Sequence, residues 1–229
     1  MEYRLIKSRR KTISISFDEK VNLVVKAPYW LDIERIDAFV EAKAEWIEAT
    51  RVRLLNTRQK SLRKRPVLET GDVLPYLGYN RVLTVVREAR SRIRVTVAGE
   101  RIIMCVPYEA DYEQKRAQLE KWYRKQAAEI FEKKGMQYAP IVGVEYHKIH
   151  IKDQKSRWGS CSGKGNLNFN WRLIMAPESV LDYVVIHELC HLIHMNHSPE
   201  FWNLVEKICP AYKEQKHWLK MNGETLYQF

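Results

Sequence analysis

Tyr183-Val-Val-Ile-His187-Glu188-Leu-Cys-His191-Leu-Ile-His194-Met-Asn-His197 is the stretch that decides how the last third of this chain is read. Pro177 stands in the favoured first position of a helix that should run from Glu178 to about His194. Val180, Leu181, Val184, Val185, Ile186, Leu189, Leu192 and Ile193 make it apolar almost all round, so it should be buried. Burying two imidazoles and a carboxylate without partners costs several kcal/mol, and the helix must contain something that offsets this. His187 and His191 are four apart and leave one face, a turn apart. That spacing brings two nitrogens to one Zn²⁺ at about 2.0–2.1 Å. Glu188 points to the side of the pair, where an H-E-x-x-H carboxylate takes a proton from metal-bound water.

Catalytic zinc usually takes three protein ligands and keeps one position for water. His194 shares the face of His187 and His191 if the helix continues, but three ligands on one straight helix stack along its axis. A helix that breaks near Met195-Asn196 swings His197 back, and Asn tolerates the left-handed conformation such a break needs. The metzincin pattern H-E-x-x-H-x-x-G-x-x-H has its third His at this spacing, although His194 occupies its Gly position. His197 is therefore favoured over His194, with Glu200 or Glu206 of the next helix as carboxylate alternatives. Ser198-Pro199 should start that helix, and a further amphipathic segment runs from about Tyr212 to Met221. Cys190 faces away from the two histidines and reads as packing.

Upstream, a strand is expected over Val144–Ile151. A hairpin follows, from Ser156–Cys161 through Gly163-Lys-Gly165 to Leu167–Leu173. Gly159 would allow a backbone to come close. Arg157 is a candidate to bind a substrate carbonyl or carboxylate, or to stabilise an oxyanion. Trp158 would otherwise pack under the metal helix. Tyr212 and His217 are weaker candidates for an electrophilic helper.

The first two thirds read as strands and helices. Thr12–Phe17 and Val21–Ala27 alternate around Asp18-Glu-Lys20, and a helix follows from Ile33 to near Arg53. A basic stretch, Arg51–Pro66, reads as an exposed helix end and linker. Val73–Val86 turns at Leu77-Gly78, and Arg92–Val97 pairs with Arg101–Val106 around Gly99. A long helix spans Asp111 to Gly135, which should stop it. Ala27-Pro28-Tyr29 and Val106-Pro107-Tyr108 each follow a hairpin and precede a helix, an echo at weak similarity. The expected organisation is 1–66, a basic hairpin-helix region; 67–138, a strand-rich block with a long helix; and 139–229, the catalytic region. The three can equally form one continuous domain.

Net charge is +11, and residues 1–66 carry most of it, with 16 Lys and Arg against 9 Asp and Glu. Such a surface can attract nucleic acid or acidic protein, or simply keep the chain in solution. Met1–Lys7 lacks the apolar run of a signal peptide, and no stretch approaches the roughly 20 apolar residues that span a bilayer. Four dispersed cysteines without CxxC spacing suit reduced thiols. A cytoplasmic protein with no membrane contact is expected.

Gln154-Lys-Ser-Arg-Trp-Gly-Ser-Cys-Ser162, Tyr183–His191 and Asn196-His-Ser-Pro-Glu-Phe-Trp202, in this order, resemble the YgjP-like metallopeptidases, relatives of the SprT-type zincins. Trp46-Ile47 and Tyr76-Leu-Gly78 fit the upstream part of the same pattern. The resemblance implies Zn²⁺ on His187, His191 and His197, with Glu188 as general base. It implies an α+β, zincin-like catalytic domain carrying the H-E-x-x-H helix, preceded by a region of hairpins and helices. The expected activity is hydrolysis of peptide bonds in a protein or peptide substrate. A nucleic-acid-associated zinc protein, bound through the basic N-terminal half, and a zinc amidase acting on a non-peptide substrate are the alternatives.

Overall fold

The alternating runs of the sequence do pair as strands, and one local path occurs three times along the chain. In a computed structural model describing residues 2–18, 21–61, 66–89 and 92–227, the chain divides into two compact units, Met1–Arg63 and Lys64–Phe229.

In the first unit, β2 (Ser14–Phe17) and β3 (Leu23–Pro28) form the expected antiparallel hairpin. Glu19 and Lys20 of its turn lie outside the described residues. β1 (Arg4–Ser8) adds alongside β3 in parallel, giving the order β1-β3-β2. The single helix expected from Ile33 is two helices, α1 (Ile33–Glu41) and α2 (Ala44–Ser61). The Lys43 N–H reaches back only three residues, to the Val40 carbonyl, and this tight turn redirects the chain. Ile47 thereby joins Leu23, Val25, Ala27, Ile36 and Val40 in one buried core. α2 runs past Arg53, and the remaining linker positions 62–65 lie outside the described residues.

The second unit holds a four-stranded sheet, β4 (Val73–Tyr76), β5 (Tyr79–Arg87), β6 (Arg94–Ala98) and β7 (Arg101–Val106), in the order β4-β5-β7-β6. It also holds a three-stranded sheet, β8 (Lys148–Lys152), β9 (Gly159–Cys161) and β10 (Asn166–Asn170), in the order β8-β10-β9. β5, β6 and β7 repeat the path of β1, β2 and β3, and so do β8, β9 and β10. Each time the third strand pairs parallel to the first and antiparallel to the second. The sequence echo is thus accompanied by a shared topology. One core extends through this unit, from Leu68 to Leu226.

The helix α3 (Tyr112–Val142) is the spine of the second unit. Asp111 and Gln114 form a reciprocal capping box at its start. Gly135 does not stop it. The helix continues to Gly143, which takes the left-handed conformation at φ 81°. Gly135 is instead a packing position, because a Cβ there would lie 2.9 Å from Ile149 Cδ1 and from the Tyr146 hydroxyl. The strand expected from Val144 begins only at Lys148, because residues 144–147 form the connection out of the Gly143 cap. Residue 138, an expected boundary, lies inside α3.

α3 anchors the motif helix α4 (Glu178–Cys190). Lys134, 7% exposed, donates to Asp182 at 2.6 Å and to Glu178 at 3.3 Å. Phe131 stacks on Phe169 of β10 at 4.4 Å. The strand expected over Leu167–Leu173 ends at Asn170. The Asn170 side chain accepts the Arg172 N–H and turns Trp171–Met175 into a short 3₁₀ helix. That turn receives the β4–β5 hairpin: the Leu77 and Gly78 N–H groups donate to Ile174 and Met175 carbonyls. A Cβ on Gly78 would meet Pro177 at 2.8 Å, so a bare glycine at φ +80° seats the start of α4. α5 (Pro199–Ile208) and α6 (Tyr212–Asn222) complete the unit. Among the described residues no helix is long and apolar enough to cross a membrane.

Candidate metal centre

α4 is buried along most of its length, as its all-round apolar sequence requires, and Glu188 within it is only 4% exposed. Its regular turns end at Cys190 rather than at His194. The Leu192 and Ile193 N–H groups donate to Leu189 and Cys190 carbonyls, closing tight three-residue turns. The break therefore comes earlier than Met195-Asn196, and Asn196 is not among the left-handed residues. The chain then folds back into α5 with Pro199 at its first turn.

This reversal brings His197 over the helix. Its Nε2 lies 3.1 Å from Nε2 of His187, and one ring nitrogen each from His187, His191 and His197 falls within 4.8 Å of the others. Among the described residues this is the one group of three or more His, Cys, Asp or Glu side chains placed to hold a metal. His194 takes no part through its ring. Its carbonyl lies 3.0 Å from His191 Nδ1, the arrangement that holds the proton there and leaves Nε2 as a lone pair. Glu206 pairs with Lys213 at 3.0 Å, and Glu200 stays exposed beside Ser198; neither joins the histidines.

Burial, helped by the neighbouring His191, His197 and Lys216, pushes the His187 pKa down to about 3, so its ring is neutral and available as a ligand. Phe201 of α5 is fully buried and lies 4.5–4.9 Å from all three imidazole rings. Trp202 stacks on His197 at 5.5 Å. Tyr212 is buried and stacks on Trp202 and Tyr183, so this candidate helper forms part of the wall. His217 lines a hollow on α6 with Trp218 and Met221, away from the cluster. The sequence reading missed Phe201, Trp202 and Lys216. The first two stood in the Asn196–Trp202 block, whereas nothing local marked Lys216.

Glu188 sits between α4 and the edge strand β9. Burial raises its pKa to about 8, while the charge of Arg157 and the Cys161 N–H draw it the other way. One carboxyl oxygen, Oε2, is buried without a hydrogen-bond partner. Gly159 of β9 is what admits this carboxyl, since a Cβ there would lie 2.5 Å from Oε1. The close approach expected at Gly159 is thus made by Glu188 itself. Trp158 packs on Gly223 and on Tyr227, at 5.3 Å. Arg157 is exposed, with its charge reaching Glu188.

The family model described as YgjP-like, metallopeptidase domain, matches residues 11–222. The chain belongs to the YgjP-like metallopeptidase family. This YgjP-like protein is therefore a hydrolase of the metallopeptidase type, with a catalytic metal and peptide or protein substrates. Among solved structures it is similar to the metallopeptidase zymogen of Pyrococcus abyssi abylysin. Identity is 27%, over 40% of this chain and 94% of that chain, with a TM-score of 0.37. It is also similar to the metallopeptidase zymogen of Methanocaldococcus jannaschii jannalysin, at 23% identity over 38% and 92%, with a TM-score of 0.34. No curated protein matches the chain.

The donor set of the YgjP-like protein fits a metal on its own geometry. Ligand nitrogens on a tetrahedral ion at about 2.0–2.1 Å stand roughly 3.3–3.4 Å apart. The His187 and His197 nitrogens are already at 3.1 Å, and His191 is within reach of both. A neutral buried ring, a tautomer fixed by a backbone carbonyl and an unpartnered carboxyl oxygen stand together there.

Proposed function

We propose that this metallopeptidase holds Zn²⁺ on His187, His191 and His197 and hydrolyses peptide bonds with Glu188 as general base, in a zincin-like α+β catalytic region. The observation that carries the reading is the convergence of three imidazoles beside one buried carboxyl at a bare-backbone strand. When bound, the ion supplies Lewis acidity and a water of lowered pKa at the position the three ligands leave open. Neutral nitrogen donors suit zinc better than magnesium or calcium, which take oxygen.

Glu188 contributes the proton chemistry. Its carboxylate takes a proton from the attacking water and delivers it to the leaving amine. The Cys161 N–H orients the carboxyl, and the absence of a side chain at Gly159 gives it room. Among the described residues β9 is the outer strand of its sheet, so the part of its edge that Glu188 does not occupy can accept an extended peptide by strand addition. Arg157, just before that strand, would bind a substrate carbonyl or the developing oxyanion, a role supported by its charge reaching Glu188.

The test is metal analysis with a hydrolysis screen on wild type and Glu188→Gln. About one zinc per chain should remain in both proteins, with hydrolysis lost only in the variant. A wild type that binds no metal, or a variant that hydrolyses undiminished, overturns the assignment.

A further inference from the structure

Beside the start of β9 lies a hollow of about 190 Å³, lined by Lys155, Arg157, Trp158, Lys220, Glu224 and Tyr227 among others. Three cations face one carboxylate there. Among the described residues none of Lys155, Arg157 and Lys220 forms an ion pair, so the charge of the two lysines is available to a ligand, while that of Arg157 is shared with Glu188. The floor is firmly built. Trp158 rests on the backbone of Gly223, where a Cβ would be 2.8 Å from its ring. Its other neighbour, Tyr227, is tied through its hydroxyl to the Gln154 carbonyl at 2.7 Å and to Asn170 at 3.0 Å. Arg172 lies 4.8 Å over the Tyr227 ring.

The hollow also lies on the path that a substrate must take. A peptide added to the free edge of β9 advances about 3.3 Å per residue. Gly159 touches the carboxyl of Glu188, and the next two residues upstream, Trp158 and Arg157, already line the hollow. Lys216, one turn before Lys220 on α6, sits 4.2 Å over the Trp202 ring, and its charge reaches His187 and His197. The positive charge of the hollow thus continues along α6 towards the histidines.

We propose that this hollow is a substrate subsite for acidic side chains, so that the enzyme prefers peptides with Asp or Glu within one or two residues of the cleaved bond. The inference rests on the metallopeptidase reading and adds a substrate class to it. The small volume and adjoining strand edge favour a side-chain carboxylate over a nucleic-acid backbone, which would need a longer basic track.

The experiment uses fluorescent nonapeptide pools carrying one Glu, Gln or Lys at each position, with the full-length protein. Binding is read by anisotropy on the zinc-loaded Glu188→Gln protein, and cleavage on the enzyme with Glu188 intact. Glu pools should bind and be cleaved about tenfold better than Gln pools, and Lys pools worse than either. The double variant Lys155→Glu with Lys220→Glu changes two exposed side chains and should reverse this order. Equal treatment of Glu and Gln, or a preference that survives the double variant, overturns the subsite. Tighter binding of a thymidine oligonucleotide than of any Glu pool, abolished by the same variant, overturns it in favour of nucleic acid. Loss of the catalytic reading appears differently, as charge-selective binding without hydrolysis of any pool.

Discussion

Glu188 occupies the space in which a side chain at Gly159 would begin, since a Cβ added there would lie 2.5 Å from Oε1 and 2.8 Å from Cγ. The backbone at Gly159 does not need a positive φ, and the atoms that an alanine Cβ would meet most closely all belong to the Glu188 side chain. The carboxyl is the end of a flexible side chain and will yield first. Gly159→Ala should therefore keep the fold and the metal but push Glu188 off its position. Misplacing a catalytic group by about 1 Å costs on the order of a hundredfold in rate. Steady-state kinetics with metal analysis should show kcat falling by about that factor, with metal content unchanged.

His197 and His194 should separate cleanly. The His197 ring meets His187 at 3.1 Å, whereas His194 contributes its backbone carbonyl to His191. His197→Ala should abolish tight metal binding. His194→Ala retains the carbonyl and should keep about one metal per chain. Metal content after dialysis against a weak chelator checks both, and loss of metal in His194→Ala would reverse the ligand assignment.

How much of this centre could be read from the chain alone depended on the range of each interaction. The all-round apolar pattern of α4, the four-residue His spacing and the restart at Ser198-Pro199 are local, and they gave helix, face and reversal. The point at which α4 ends was misplaced, because tight turns at Leu192 and Ile193 decide it and both residues suit a helix equally well. The 3₁₀ turn after Asn170 was read as strand because Trp171 and Leu173 continue the alternation; a side-chain cap on Arg172 overrides it. β1 pairs in parallel with β3, and a parallel partner has no hairpin signal. Lys216 and Phe201 reach the histidines only through tertiary packing.

Lys134 ties α3 to the start of α4, and its two partners should not be equal. Asp182 is the nearer, at 2.6 Å, and the less exposed; it also bonds the Tyr138 hydroxyl. Glu178 is 3.3 Å away and largely hydrated. Asp182→Asn should thus cost about 1–3 kcal/mol, and Glu178→Gln well under about 1 kcal/mol. Urea unfolding of the two variants checks the order, and equal losses would contradict it.

Acid should weaken the contact at Leu68-Glu69. The buried Lys115 donates to the Leu68 carbonyl at 3.0 Å and to Glu69 at 2.6 Å. That hydrogen bond, against a smaller opposing effect of burial, lowers the Glu69 pKa below its ordinary 4.5. A lowered carboxylate pKa contributes stability that is present above the unfolded value and lost as pH falls through the folded one. Wild type should lose this contribution below about pH 4.5, while Glu69→Gln should be less stable at neutral pH and have a flatter acid limb. Denaturation midpoints at a series of pH values test the sign.

Gly135→Ala sets two effects against each other. By helix propensity alone, alanine in the middle of α3 should stabilise by roughly 1 kcal/mol. The added methyl, however, would enter 2.9 Å from both Ile149 Cδ1 and the Tyr146 hydroxyl. Tyr146 is held by Glu132 at 3.2 Å, and Ile149 is a buried residue of β8 paired with Leu167, so neither side yields without disturbing another contact. Overpacking of this kind costs about 1–3 kcal/mol, which exceeds the propensity gain. Gly135→Ala should therefore be destabilising by about 1 kcal/mol, and the double variant with Tyr146→Phe, which removes the crowded hydroxyl, should recover part of that loss. A stabilised single variant would mean that Gly135 is not a packing position.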